Sequence, residues 1–488
     1  MQTRTSLEEI VGKNNVLDDP AVLDSYSSDL SFVPKVRPKW VVKPSSTVEV
    51  QEVIKWANAT STPLVPVSSG TPRFRGDTIP RTGGAVIVDL SGMKKIMRID
   101  LISRVAMVEA GVTFAELQPE LEKAGLSAYM PLCPKGSKSV LASMLEREPI
   151  TMPAHHWDCS DPFLLGEYIF GTGDKMRSGE ASGPETTEEK WKLGNYQMTP
   201  MAVSQFDENK LVSGAQGTMG IVTWASLKCR LISKFSRNFL VPSENIEPLL
   251  ELSYQLLRGR IGDHLFIMND LNLASLLARD PGEINALRET LPPWVLVVSF
   301  EGNGDLPEDK VAWQEADFRE MATRSGGLKP ASTIHGADAD ELSQILSRPS
   351  DDPYWKLRYK GGCSDIFFLT TLDKTPGFVS AMSGLAQSRR FSPRDIGVYI
   401  QPVVQGTSCH CEFNLFHEPA NAAEADRVKW LVTEGSVNLA NLGAFFSRPY
   451  GYWAKVAYSR ATETAIMQRK LKKIFDPKDI MNPGQLCF

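Results

Sequence analysis

The chain has 488 residues, 42% hydrophobic, 23% charged and 9% aromatic, which is the composition of a globular protein with a large core and excludes collagen-like, low-complexity and mostly disordered chains. Lys and Arg number 53 against 58 Asp and Glu, a net charge of −5 without a long block of one sign, so nucleic acid is not an expected partner. Met1 to Glu9 carries acids where a secretory leader needs an apolar run, and no stretch reaches the ~18 apolar residues of a membrane span; the expected location is the cytoplasm.

Trp40-Val-Val reads as a strand, and Thr47 to Ala59 as a helix with Val50, Val53, Ile54 and Ala57 at helical spacing behind the Ser45-Ser46-Thr47 cap. Leu64-Val-Pro-Val is a second strand; the Gly-, Ser- and Pro-rich stretch Ser68 to Pro80 and the apolar strand Ala85 to Leu90 follow. A nicotinamide dinucleotide fingerprint places its glycines between a strand and a helix. Here the loop runs from strand to strand, which counts against that cofactor. Arg104 to Thr113 leads into the helix Phe114 to Ala124, ended by Gly125. Ser139 to Glu148 is a short helix stopped by Pro149, and Thr151 to Pro162 is an irregular stretch holding His155, His156, Trp157 and Asp158. Strands around Glu167–Phe170 and Met219–Lys228 bracket a polar excursion, Gly179 to Tyr196, expected on the surface. From about Ser236, helical patterns (Ile246 to Leu257, Glu308 to Thr323, Ala422 to Leu442) alternate with strands such as Trp294–Phe300 and Gly397–Val403, a second α+β unit. A helix from Thr462 to Ile474 and the turn-rich Phe475 to Leu486 close the chain, and no repeat of solenoid period is seen. Seven cysteines (133, 159, 229, 363, 409, 411 and 487) lack CxxC spacing and read as reduced buried thiols.

Taken alone, Ser68-Ser-Gly-Thr-Pro-Arg-Phe-Arg-Gly-Asp is either an ordinary tight connection or an anion nest, in which glycines turn N–H groups inward and hydroxyls and arginines favour a pyrophosphate. Other segments stand with it in a fixed order: Val108 to Leu117, Ser139-Val-Leu with Glu146-Arg147, Met152 to Trp157, Met176-Arg-Ser-Gly, Gly214-Ala-Gln-Gly-Thr-Met-Gly-Ile-Val-Thr, and Phe475-Asp-Pro with Asn482-Pro-Gly. As a set they resemble the FAD-linked oxidases and dehydrogenases of the vanillyl-alcohol oxidase and p-cresol methylhydroxylase type. The resemblance spans nearly the whole chain and is strongest over residues 40–230 and 475–488.

It implies an α+β protein with a two-part PCMH-type FAD-binding domain (residues 1–235, completed by 446–488) and an inserted ferredoxin-like α+β cap (residues 236–445). By the same resemblance Ser68, Ser69, Gly70, Thr71, Pro72, Arg73, Gly76 and Asp77 hold the pyrophosphate. Gly217, Gly220, Ile221 and Val222 pass the adenosine half. Gly136, Ser137, Ser139, Val140 and Leu141 run beside the isoalloxazine ring, and His155 and Asn482 complete the cofactor set.

In the cap, Gly406 to Phe416 is the informative strand. Period two puts Ser408, His410, Glu412 and Asn414 on one face and Cys409, Cys411 and Phe413 on the other. An imidazole beside a carboxylate can be a metal ligand, an acid–base group or a satisfied structural histidine. His417 falls on the opposite parity, and no metal is expected. His410 aligns near the family's cap histidine that joins the flavin covalently, so covalent attachment through His410 is one expectation.

The phenol-oxidising members have an acid where this chain has Pro134-Lys135 and a tyrosine near Thr151; the 2-hydroxy-acid branch has cap and C-terminal motifs absent here. Near the corresponding C-terminal site stands Phe445-Phe-Ser-Arg-Pro-Tyr-Gly-Tyr-Trp, where Arg448 is suited to pair with a substrate anion and with charge at the flavin. Tyr450, Tyr452 and Trp453 either line a pocket or pack against the cap. The expected function is hydride transfer from a small aromatic, alcohol or hydroxy-acid substrate to flavin N5, with Arg448, Tyr450 and a histidine base among His155, His156 and His410, and electrons passed to oxygen or a protein acceptor. A D-2-hydroxy-acid dehydrogenase and a flavin-bearing electron-transfer subunit are the alternatives. Expected partners are the substrate, an acceptor protein or partner subunit, and further copies of the chain.

Overall fold

The computed structural model describes residues 2–155, 162–194 and 207–488. Three large sheets and one two-stranded ribbon, Thr333–Ile334 with Ala337–Asp338, organise the described residues. In the first, strands run in the order Val16–Leu17, Trp40–Val42, Val86–Asp89 and Leu64–Val67, the last three mutually parallel. Val41, Val42, Val86, Ile87 and Val88 are fully buried, as expected of parallel strands covered on both faces. The helix Thr47–Thr60 lies against this layer; the Ser46 side chain accepts from the Glu49 N–H to start it, and Ser61 in the left-handed region ends it. The chain returns here much later: Leu64 bridges Met481, and Asn482 N–H donates to Leu64 O.

The second sheet is antiparallel, in the order Ile96–Asp100, Val105–Glu109, Gly220–Leu231, Phe163–Phe170 and Lys175–Arg177, with Leu126–Ala128 also paired to the long strand. Thr113 and Glu116 form a capping box that starts the helix Phe114–Lys123. Of the excursion Gly179 to Tyr196, expected on the surface, residues 179–194 are described and hold more structure: Gly179–Ala181 is a 3₁₀ turn, Thr187–Lys192 a helix, and the buried Lys190 ammonium donates to Glu180 O and Ser182 O. Buried carbonyls need donors, and a lysine in a polar sequence supplied them.

The third sheet has six antiparallel strands, ordered Phe235–Ser243, Trp294–Gly302, His264–Asn269, Ile396–Val403, Ser408–His417 and Gly362–Thr370. It is larger than the four strands of a minimal ferredoxin-like unit. Two three-strand units of one strand order, each with its last strand in the middle, meet through Ile267–Ile400 and Met268–Tyr399; in the first, the helices Asp270–Leu277 and Glu283–Thr290 separate the last two strands. Cys409, Cys411, Phe413 and Leu415 join one apolar core, and Phe416 and Tyr399 another on the opposite face, so the period-two reading of this strand holds. The helical run from Ala422 contains a π segment, Leu431–Gly435, whose Val432 carbonyl accepts from Trp453 Nε1 at 3.0 Å. Among the described residues no helix is long and apolar enough to cross a membrane, and the six described cysteines are free and buried.

Candidate active site

A cleft runs between the first two sheets and the third. Its walls come from the loop after Leu64–Val67, from the start of Gly220–Leu231, and from the cap strands.

On the loop side, Ser68, Ser69, Pro72, Arg73 and Asp77 line the cleft. The glycines do something else. Gly70 N–H donates to Ser137 O, and a Cβ there would lie 3.1 Å from the Ser137 Cβ. Gly76 has φ +73°, gives its N–H to Asp29 Oδ2 at 2.7 Å, and would place a Cβ 2.3 Å from Val33. The loop is thus folded by its glycines against neighbouring chain. Thr71 O accepts from Ser137 Oγ, and the Lys135 ammonium gathers the carbonyls of Gly70 and Pro72.

Ser139 N–H donates to Ser69 Oγ, while the Ser139 hydroxyl caps the helix Val140–Leu145. Leu141 reaches the cleft; Gly136, Ser137, Ser139 and Val140 stand behind it. Gly217, Gly220, Ile221 and Val222 line the opposite wall. At Gly217 the φ of +71° and a Cβ position 2.4 Å from Pro66 leave no alternative residue. Asn482 is one layer out: its amide donates to Asp77 O at 2.9 Å and Gln216 O at 2.8 Å, tying loop to wall. His155 packs on Tyr129, ring centroids 4.3 Å apart, away from the lining, and His156 lies outside the described residues.

The cap side holds Arg448, 5% exposed. Its segment is tied to both halves. Phe445 exchanges backbone hydrogen bonds with Leu369, Arg147 donates to Ser447 O at 2.6 Å, and Gln216 donates to Pro449 O at 3.2 Å. The guanidinium stacks on Phe367, 4.2 Å from the ring centroid, and its Nη2 lies 3.4 Å from His410 Nδ1. Among the described residues Arg448 Nη1 has no hydrogen-bond partner. Burial and the neighbouring Arg75 lower its pKa to about 10, which still leaves it charged at neutral pH.

Tyr450 also lines the cleft, beneath Arg75; Trp453 packs into the cap core, and Tyr452 is exposed. Behind Arg448, His410 Nε2 meets Glu412 Oε2 at 3.0 Å. Lys356 bridges Glu412 and Asp365, and Asn414 donates to both carboxylates. Burial pushes the Glu412 carboxyl up, but Lys356 and the His410 contact outweigh it and hold it well below the ordinary range. His417 sits far along the strand with Nδ1 at Leu415 O. Among the described residues no three His, Cys, Asp or Glu side chains are arranged for a metal ion.

Arg75 occupies the floor. It pairs with Glu148 at 3.1 Å and Glu146 at 3.5 Å, and stacks on Phe367 and Tyr450. Desolvation acts upward on Glu148, yet Lys138 and Arg75 bring it down to about 2. Two other lining groups move toward neutrality: burial, then Glu146, raises Asp77 to about 7, and burial, then Lys138, lowers Lys135 to about 7. Lys356 and Asp365 escaped the sequence reading; the signal was available, since Asp365 is the one charged residue in the mostly apolar strand Gly362–Thr370. Arg358, another cap arginine, donates to the carbonyls of Pro353 and Ala278 and does not line the cleft.

The donor chemistry of the walls fits an elongated anionic cofactor such as FAD. Arg73 Nε and Thr78 Oγ1 are buried there without partners among the described residues, and the glycine wall leaves a smooth edge for a flat ring.

Residues 38–142 match the FAD binding domain family. An uncharacterised FAD-linked oxidoreductase of Mycobacterium tuberculosis is 22% identical over 98% of this chain and 97% of its own length. A D-lactate dehydrogenase of Anaerostipes hadrus is 25% identical over 99% of this chain and 96% of its own. The solved structure of p-cresol methylhydroxylase with substrate bound superposes with a TM-score of 0.83 at 16% identity, covering 100% of this chain and 96% of that one.

Proposed function

Given that the chain is an FAD-dependent oxidoreductase with the fold of p-cresol methylhydroxylase, we propose that it oxidises a small molecule carrying a negatively charged oxygen, a carboxylate or phenolate, which Arg448 holds. The carrying observation is the buried, cleft-lining guanidinium with an N–H left over. A buried donor without a partner is costly, and an anion arriving there removes the cost.

FAD when bound supplies a hydride acceptor at ring N5. Ser68, Ser69, Arg73 and Thr78 would hold its phosphates, and Gly217 to Val222 its flat portions. Arg448 orients the substrate and stabilises negative charge that grows near it, in a site that Phe367 and Tyr450 keep dry. Asp77 and Lys135 are the lining groups able to exchange a proton near neutral pH. Electrons leave to oxygen or to an acceptor protein, and the protein works in the cytoplasm as an assembly of identical chains.

The charged cap wall of Lys356, Asp365 and Glu412 favours a polar hydroxy acid over an alkylphenol, and the named activity of the Anaerostipes relative agrees. Anaerobic bleaching of the yellow protein by D- and L-2-hydroxy acids and by para-alkylphenols tests this. Bleaching by a member of either series, lost in Arg448→Ala, is the expected result; bleaching by neutral alcohols alone would overturn the anion reading.

A further inference from the structure

His410 lies between Arg448 and an ion cluster, and the state of each neighbour fixes the state of its ring. Glu412 is ionised, held by Lys356 and Asn414, and a carboxylate only accepts hydrogen bonds. His410 Nε2, 3.0 Å away, therefore carries the ring proton. Burial keeps the imidazole neutral against the pull of Glu412. Nδ1 is then a lone pair, and it faces Arg448 Nη2 at 3.4 Å; a guanidinium only donates. Phe367 and Tyr399 pack on the ring with centroids 5.9 and 5.8 Å away, so it has one orientation available.

We infer that His410 is a positioning residue: its Nδ1 takes one N–H of Arg448 and so leaves the unpartnered Nη1 for a substrate anion. The inference rests on the reading of Arg448 as the anion holder. Arg448 donates Nη2 to no other group in the described structure, and stacking on Phe367 alone leaves the guanidinium free to turn in its plane. The Lys356–Glu412–His410 line fixes that rotation from the cap sheet. It also separates His410 from the cofactor. The ring is 2% exposed, does not line the cleft, and has neither nitrogen free to bond a flavin.

The test uses the FAD-loaded protein, with oxalate and 4-cyanophenol as inert anion probes titrated by the change in flavin absorbance. Asparagine keeps an acceptor where Nδ1 lies and loses the bond to Glu412; glutamine keeps the donor toward Glu412 and loses the acceptor. His410→Ala and His410→Gln are expected to weaken binding of at least one probe by about tenfold or more, while His410→Asn recovers most of it, at unchanged FAD content. Should Gln recover affinity and Asn not, the Glu412 contact is what counts and the inference is overturned. It is also overturned, alone, if Arg448→Ala weakens binding but none of the His410 variants does. If Arg448→Ala itself binds both probes normally, the anion reading falls first. Acid precipitation of the unaltered protein is expected to leave all yellow colour in the supernatant; a yellow pellet that His410→Asn abolishes would overturn the assignment.

Discussion

In the loop Ser68–Asp77 the unusual residues face the protein, whereas in the strand Ser408–His417 they face a network that reaches the cleft. Gly70 and Gly76 are spent on close approach to Ser137 and Val33, and the lining falls to Ser68, Ser69, Arg73 and Asp77. In the strand, every second side chain is polar and each is tied to the next, from Asn414 through Glu412 to His410 and on to Arg448. One wall is shaped by backbone and the other by charge. They should fail differently: a loop variant should lose the cofactor, and a cap variant should keep it and lose the reaction.

Gly76→Val is the largest break. A side chain there meets Val33 at 2.3 Å from a left-handed backbone, strain and overpacking that together cost about 2–5 kcal/mol. The expected outcome is a protein that emerges from gel filtration without FAD; Gly70→Val, with a 3.1 Å contact, should lose less. Retention of FAD by Gly76→Val would move the cofactor away from this loop.

Arg448→Ala probes the other wall. Loss of a charged donor in a water-poor site costs ~2.7–4 kcal/mol, or about 10²–10³ in rate. Stopped-flow flavin reduction should slow by that factor, with FAD content and Tm unchanged and Arg448→Lys in between, since an ammonium keeps the charge without the planar fork. Unfolding of the alanine variant would make Arg448 a structural cation instead.

A smaller effect joins cofactor binding to pH. Asp77 stays protonated below about 7 because burial and Glu146 disfavour its charge, against Lys138 and Arg75. As pH rises through that value a carboxylate appears on the wall proposed to hold the cofactor's phosphates. FAD affinity, read by fluorescence quenching, should fall by up to about tenfold per pH unit there, and Asp77→Asn should flatten the profile. A profile unchanged by the substitution would assign the titration to Lys135. The smallest effect is Arg358→Ala: with its N–H groups on cap carbonyls, it should alter reduction rate and anion affinity by less than about 0.5 kcal/mol equivalent.

Much of this was legible in the residues. Strand parity placed His410, Glu412 and Asn414 on one face because side chains alternate whatever the fold, and Thr47–Thr60 and Phe114–Lys123 followed from caps and spacing. What could not be read was partnership across distance. That the Gly76 N–H goes to Asp29, or that Lys356 neutralises two carboxylates on two different strands, depends on tertiary placement that no local pattern carries. Asn482 was expected in the cofactor set, and its two bonds to Asp77 O and Gln216 O make it a clamp on the loop.

That clamp has a consequence for biogenesis. Asp77 and Asn482 are 405 residues apart, so at ~5–20 residues per second the ribosome finishes the loop roughly 20–80 s before it makes the residue that fastens it. During that interval the loop and the Gln216 turn lack their common tie, and the wall proposed for the cofactor is unfinished. Loading of FAD is then a step that follows synthesis of the C-terminal segment, and ribosome-bound chains stalled before Asn482 should emerge colourless.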